Sequence, residues 1–148
     1  MSNSISLLIL LFAIIHVAEE YFFGWLSWVA QFAKGITLPQ FIFWNAAFLL
    51  LCLFGVFASS PIFKLSLASL LLCNVLVHLV PTVFRRQYSP GLVSAILLYL
   101  PLGFFSYFSA VRHTLATTNQ VLASIPLGAL WMSIPFLYQL VRTYRLSA

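Results

Sequence analysis

Charged residues are scarce in this sequence, and acidic ones are almost missing. Only 6% of the 148 residues are charged, and Glu19 and Glu20 are the whole acidic complement. A soluble domain carries roughly a quarter of its residues as charged side chains, so this composition excludes a soluble globule. A hydrophobic content of 63% and a mean hydropathy of +1.07 indicate an integral membrane protein with a lipid bilayer as its surroundings.

Cysteine is scarce too, and what there is carries no metal-binding spacing. Cys52 and Cys73 both lie inside apolar runs, where a thiol behaves as a small hydrophobe. The net charge of +5 comes from basic residues spread over several connecting segments. Because no basic stripe or aromatic-interleaved groove is present, the charge predicts no nucleic-acid partner.

Five apolar runs separated by short polar breaks predict an all-α fold, a polytopic transmembrane helix bundle in one domain over residues 1–148. The first run lacks a basic start and contains three ionisable residues, so we expect a retained span and not a cleaved signal peptide. The predicted spans are Ile5 to Val29, Phe41 to Ala58, Ile62 to Phe84, Leu92 to Ala110 and Val121 to Val141.

The basic residues divide unevenly between the two membrane faces. Five spans put Lys64 and Arg112 on one side and the other five basic residues on the opposite side. The positive-inside rule then predicts an amino terminus outside and a carboxyl terminus in the cytoplasm. The residues on the predicted cytoplasmic side are Lys34, Arg85, Arg86, Arg142 and Arg145.

The ionisable residues of the first span form one polar cluster. His16, Glu19 and Glu20 stand at i, i+3 and i+4, which places them on one helical face within about one turn. Carboxylates in hydrocarbon must be protonated, paired or bound to a cation. The third span offers Asn74 and His78, also one turn apart, and a rise of about 1.5 Å per residue puts both pairs at a similar depth.

These five residues are therefore the candidate site, and Asn45 is a weaker candidate at a similar level. The structural alternative is a hydrogen-bonded network that only fixes helix packing, and for Asn45 a helix-to-helix hydrogen bond is at least as good an interpretation. Intramembrane ionisable residues are functional by default, and a packing network rarely needs two acids.

Three motifs in order make the sequence resemble bacterial integral membrane proteins with the HXXEE domain. The motifs are His16-Val17-Ala18-Glu19-Glu20, Asn74-Val75-Leu76-Val77-His78 and Tyr88-Ser89-Pro90-Gly91. The resemblance runs from the first span to the fourth. It implies an enzyme of the bacterial inner membrane without naming a reaction.

Two Glu, two His and an amide suit a divalent transition metal such as zinc, iron or manganese, with His16, Glu19, Glu20 and His78 as ligands. Such a centre could activate water for hydrolysis or support oxidation of a lipid or isoprenoid. Intramembrane prenyl-protein proteases of the CAAX type use similar residues, but their motif has an arginine where this chain has Gly24.

Two other classes of function stay open on the sequence. Without a metal, one Glu as acid and a His or the other Glu as base could isomerise a lipid, as membrane sterol isomerases do. A small proton or ion transporter is the third hypothesis; five spans without an inverted repeat disfavour it, although an oligomer could build a pore.

The loop that follows the third span carries a second candidate site. Arg85 and Arg86, with Tyr88 nearby, are candidates for binding a substrate or lipid headgroup through charge-assisted hydrogen bonds. Positive-inside anchoring followed by a Pro-Gly turn explains the same residues equally well.

Overall fold

The computed structural model describes residues 3–31, 33 and 35–147, and of residues 143 and 145–147 it describes the backbone alone. Within that part of the chain every regular element is a helix, and five helices are long and apolar enough to cross a membrane. This confirms the predicted all-helical bundle of five spans. Lys34 and the side chain of Arg145, two of the charges used for orientation, lie outside the described residues.

We number the helices in chain order. A short helix, α2, lies between the first two spans, and the others are the five spans themselves. The helices are α1 (Asn3–Phe22), α2 (Trp25–Val29), α3 (Leu38–Phe57), α4 (Pro61–Arg85), α5 (Leu92–Arg112) and α6 (Thr118–Ser147).

The first span is shorter than the sequence predicted. The continuous apolar run to Val29 breaks at Gly24, whose φ of 79° places it in the left-handed region. A residue in that conformation ends a helix, and glycine adopts it without the steric cost of a Cβ atom. The chain therefore turns after Phe22 and forms α2 as a separate helix.

Helix α4 lies at the centre of the bundle. Helix α6 packs along α4, α3 packs against α1, and α5 contacts both α1 and α4. The most deeply buried side chains come from these contacts, whereas large apolar side chains on every span are exposed and so suited to contact lipid. The buried core comprises Ile5, Ile9, Ala13, Cys52, Leu67, Leu70, Leu71, Val75, Ala95, Tyr99 and Leu102.

Alternating spans put the two connections that matter for function at one end of the bundle. We call this the loop end; it contains residues 23–31, 33, 35–37 and 86–91 and the last turns of α6. Arg142 of α6 reaches the first connection there, donating from Nη1 to the Gly35 carbonyl at 2.5 Å and to Gln40 Oε1 at 2.6 Å. At the opposite end, Lys64 Nζ donates to Asn3 Oδ1 at 2.8 Å.

Small residues let α4 and α6 approach closely. A Cβ atom on Gly128 of α6 would lie 2.4 Å from Ser69 Cβ and 2.5 Å from the Ser66 carbonyl oxygen. The same serines bond across the interface, since Trp131 Nε1 donates to Ser66 Oγ at 3.2 Å and Ser69 Oγ donates to the Ile125 carbonyl at 3.0 Å. Membrane helices commonly associate through such small-residue contacts and polar bonds.

Replacing Gly128 by alanine should therefore separate α6 from α4. We expect Gly128→Ala to lower the free energy of unfolding by about 2 kcal/mol, because its Cβ meets backbone that cannot move aside. Gly103→Ala is the matched control, because the three atoms nearest to its Cβ all belong to the Leu72 side chain, which can shift more easily than backbone. Denaturation in mixed micelles should show a loss for Gly128→Ala and little change for Gly103→Ala; equal effects would contradict the close approach.

Candidate functional site

Three buried side chains from two helices meet near the loop end of the bundle. Glu20 Oε1 of α1 lies 3.6 Å from His16 Nε2, one turn away, and 3.3 Å from His78 Nε2 of α4. The two imidazole rings are edge to face with centroids 4.9 Å apart. Glu20 is 6% exposed and both histidines at most 1%, so the side chains of the cluster are almost entirely buried.

Each histidine is held through its other ring nitrogen by a serine. His16 Nδ1 lies 2.8 Å from Ser94 Oγ, and His78 Nδ1 lies 2.9 Å from Ser89 Oγ. The Ser94 hydroxyl donates its one proton to the Gly91 carbonyl at 3.2 Å, so it accepts from the Nδ1–H of His16. That tautomer leaves the Nε2 lone pair of His16 directed at the cluster.

The three side chains of the cluster form a group that could hold a metal ion. One ligand atom from each of His16, Glu20 and His78 lies within 4.8 Å of the others, and neither Nε2 has a hydrogen-bond partner. Two ligands about 2.1 Å from a shared tetrahedral zinc are roughly 3.4 Å apart, close to the two separations found here. Two His and one carboxylate leave coordination positions for water or substrate, as catalytic zinc and non-haem iron sites do.

Glu19 does not join this cluster, which differs from the predicted ligand set. Adjacent helical residues point about 100° apart, so while Glu20 faces α4 the Glu19 carboxylate faces the start of α5. Its Oε1 accepts from the backbone N–H groups of Gly91 and Val93, both at 3.1 Å, and its Oε2 accepts from the N–H of Ser94 at 2.7 Å. Glu19 thus caps the amino terminus of another helix, where a negative charge is favourable.

The three residues proposed as a headgroup site have different surroundings in the structure. Tyr88 donates its hydroxyl to Glu19 Oε1 at 2.5 Å and so fastens the loop to α1. Partial burial, and then the hydrogen bond to Glu19 and its charge, raise the pKa of Tyr88 to about 12. Arg85 and Arg86 are exposed at the end of α4 and are not among the residues that line the cavity beside the cluster.

Gly91 closes the cluster from the loop side. A Cβ atom at this position would lie 2.7 Å from His78 Cε1, 2.9 Å from His16 Cε1 and 3.1 Å from Glu20 Cγ. The φ of Gly91 is 99°, again in the left-handed region. Both the backbone conformation and the absence of a side chain are needed for the loop to lie on the cluster.

A π-helical segment in α5 brings a further side chain to the cluster. Residues Ala95–Tyr99 have the wider π turn, in which residues five apart approach one face, and such turns are frequent at functional sites. Ser94 and Tyr99 consequently both face His16. The centroid of the Tyr99 ring lies 4.6 Å from the centroid of the His16 imidazole. The Tyr99 hydroxyl is buried with no hydrogen-bond partner.

A cavity of about 670 Å³ opens beside the cluster and extends to the loop end. Its wall is largely apolar and aromatic and comes from α1 to α4 and from α6. His16, Glu20 and His78 line it, as does Asn74, whose Oδ1 is buried without a hydrogen-bond partner. Asn45 also lines the cavity and donates to the Phe41 carbonyl of its own helix at 3.2 Å, not to another helix.

The family model described as "Protein of unknown function with HXXEE motif" matches residues 7–106, more than half of the chain. This chain belongs to the HXXEE family. No curated protein and no solved structure matches it. The HXXEE resemblance drawn from the three sequence motifs is thereby confirmed.

The residues of the predicted site have different surroundings in the structure. His16 and Glu20 form the cluster with His78, Glu19 holds the loop, and Asn74 faces the cavity. Sequence reasoning missed Ser89 and Gly91, although both lie inside the Tyr-Ser-Pro-Gly motif. It also missed Ser94 and Tyr99, for which apolar periodicity gave no signal because a π turn changes which residues share a face.

Gly91→Ala should disrupt the cluster beyond the cost of backbone strain, and Gly24→Ala measures that strain alone. Both glycines have positive φ, but a Cβ on Gly24 meets nothing within 4 Å. We expect Gly24→Ala to cost about 1 kcal/mol of unfolding free energy and Gly91→Ala about 2 kcal/mol more. Denaturation in mixed micelles compares the two, and equal losses would show that Gly91 does not press on the histidines.

The contact between Tyr88 and Glu19 should depend on pH only in the alkaline range. An unfolded tyrosine ionises near pH 10, whereas Tyr88 in the folded chain does so near 12. A folded-state pKa above the unfolded value means that the stabilisation is complete below pH 10 and is lost as pH rises toward 12. The melting temperature of the native chain should exceed that of Tyr88→Phe by a constant amount from pH 7 to 9.5, and the difference should shrink by pH 11.5.

Proposed function

We propose that this chain is an intramembrane enzyme that binds one divalent transition metal, zinc, iron or manganese, through His16, Glu20 and His78. The observation that carries the proposal is the pair of Nε2 atoms that make no hydrogen bond and lie 3.6 Å and 3.3 Å from one carboxylate oxygen of Glu20. Serine bonds to the opposite nitrogens support it, since metal-binding histidines almost always donate from their second nitrogen. A bound cation would also neutralise Glu20, which is buried inside the membrane.

The proposed substrate is a lipid or isoprenoid, because the cavity that leads to the cluster is apolar and lies within the spans. When bound, the metal would supply a Lewis acid that activates water for hydrolysis, or a redox centre for oxidation. Asn74 lies on the cavity wall one helical turn from His78 and would bind a polar group of the substrate. Glu19 acts as a positioning residue that holds Gly91 and Ser94 in place.

A metal-free acid/base isomerase is the second candidate. The distance of 3.3 Å between Glu20 Oε1 and His78 Nε2 is short enough for proton exchange between the two groups. In that mechanism Glu20 and His78 share the proton that is delivered to or taken from a lipid. Metal content separates the two candidates.

The charges support a site in the cytoplasmic half of a bacterial inner membrane, within one transmembrane domain over residues 1–148. Arg85, Arg86 and Arg142 lie at the loop end of the helices, and Lys64 and Arg112 lie at the other. The positive-inside rule makes the loop end cytoplasmic and the amino terminus external.

The two adjacent glutamates provide a matched test of metal binding. Elemental mass spectrometry on protein purified in mild detergent without chelator should find near-stoichiometric metal in the native chain. We expect Glu20→Gln and His78→Ala to retain less than a tenth of it, because each removes a ligand, and Glu19→Gln to retain most. Ser94→Ala should weaken the affinity by about 10- to 100-fold through His16.

Near-ultraviolet circular dichroism of each variant controls for folding. A native chain that holds no metal after reconstitution with zinc, iron and manganese would refute the metal proposal and leave the isomerase. Metal lost equally from Glu19→Gln and Glu20→Gln, with both folded, would contradict the separate places of the two carboxylates.

A further inference from the structure

The volume and lining of the cavity beside the cluster indicate the chemical class of its ligand. Its volume of about 670 Å³ lies inside the range of about 300 to 1,000 Å³ in which proteins bury small ligands. Its deep part is formed by aliphatic side chains such as Leu51 and Leu70, and Gln40 and Gln139 lie near its loop end. A cavity of this volume and lining suits one hydrocarbon chain that carries a polar group.

Besides the two histidine Nε2 atoms of the cluster, two polar atoms on residues that line this cavity are buried and have no hydrogen-bond partner. One is an acceptor, Asn74 Oδ1, and the other is a donor, the indole Nε1 of Trp25. A buried polar atom without a partner costs about 1 to 3 kcal/mol, so both favour a ligand that completes their bonding. A hydroxyl group suits either atom, because it donates one hydrogen bond and accepts others.

The charge of the wall argues against an anionic ligand. Among the described residues that line the cavity none is Lys or Arg, and the only ionisable groups are those of the cluster itself, His16, Glu20 and His78. Arg142 contacts the cavity at its loop end, where its Nη1 donates to the lining residue Gln40 and to the Gly35 carbonyl. Away from the cluster, a phosphate or diphosphate in this cavity would lose its hydration without gaining a counter-charge from the described lining residues.

We propose that the cavity binds an uncharged single-chain lipid with a hydroxyl group, which donates to Asn74, and that this is the substrate class delivered to the cluster. The inference rests on the proposed function for the reaction but not for binding, since Asn74, Trp25 and the apolar wall need no metal. The hydrocarbon chain extends from the hydroxyl toward Leu51 and Leu70. The single chain and neutral head distinguish this ligand from the surrounding phospholipid.

The chain itself offers a matched pair for testing the cavity. Ala46 and Ala47 are both exposed, but Ala47 lines the cavity and Ala46 is not among the lining residues. We would measure binding of a tritiated 20-carbon isoprenoid alcohol to the full chain in mild detergent. Competitors are the diphosphate ester of the same chain and its hydrocarbon analogue without the hydroxyl.

We expect the unlabelled alcohol to compete at least tenfold better than the diphosphate. Ala47→Trp should weaken binding at least tenfold by filling the cavity, and Ala46→Trp should leave it unchanged. Asn74→Leu should reduce the preference for the alcohol over the hydrocarbon by about tenfold, the value of one hydrogen bond. Melting temperatures confirm that each variant is folded.

If the diphosphate competes better than the alcohol, the ligand does not have a neutral head group. If the two tryptophan variants bind the alcohol equally well, the cavity is not the binding site. An unchanged preference in Asn74→Leu would remove the hydroxyl contact. Repeating the measurement with chelator and with Glu20→Gln separates the two proposals. Alcohol binding that persists without metal supports the lipid site independently of the metal site. Metal binding without alcohol binding would refute the lipid site and leave the metal site supported.

Discussion

The Glu19 carboxylate is the contact on which the candidate site depends. It crosses from α1 to the first turn of α5 and accepts three backbone N–H groups there, together with the Tyr88 hydroxyl. Hydrogen bonds to a charged group contribute about 1.5 to 3 kcal/mol each, so four of them fix the loop firmly. The fixed loop brings Ser89, Gly91 and Ser94 against the two histidines.

Two carboxylates side by side in a membrane protein pose an energetic problem that this fold solves twice. Glu19 obtains donors from a helix terminus, which carries partial positive charge and needs acceptors of its own. Glu20 contacts two imidazoles, and in our proposal it also binds a cation. Both carboxylates thus have polar partners, as expected for charges whose transfer to hydrocarbon costs several kcal/mol.

Close packing around the cluster explains the small side chains that surround it. Gly91 leaves room for both imidazole rings, and the serines on α5 and the loop bond to ring nitrogens without occupying the space of larger amides. On the opposite side the same cluster opens into an apolar cavity. One side of the cluster is thus closed and polar, and the other opens into a hydrophobic cavity, as the proposed chemistry on a lipid would need.

The sequence by itself determined the membrane class, the five helices and the separate polar residues His16, Glu20 and His78. Each follows from local composition and helical spacing, which act over one or two turns. It could not determine which glutamate faces which helix, since both lie on one broad face of α1, nor that Arg85 and Arg86 lie away from the cavity. Only the tertiary structure decided that Glu19 caps α5, that Gly91 presses on the histidines and that a π turn presents Tyr99. These features depend on how helices distant in sequence are rotated against each other, and packing of whole faces sets that rotation.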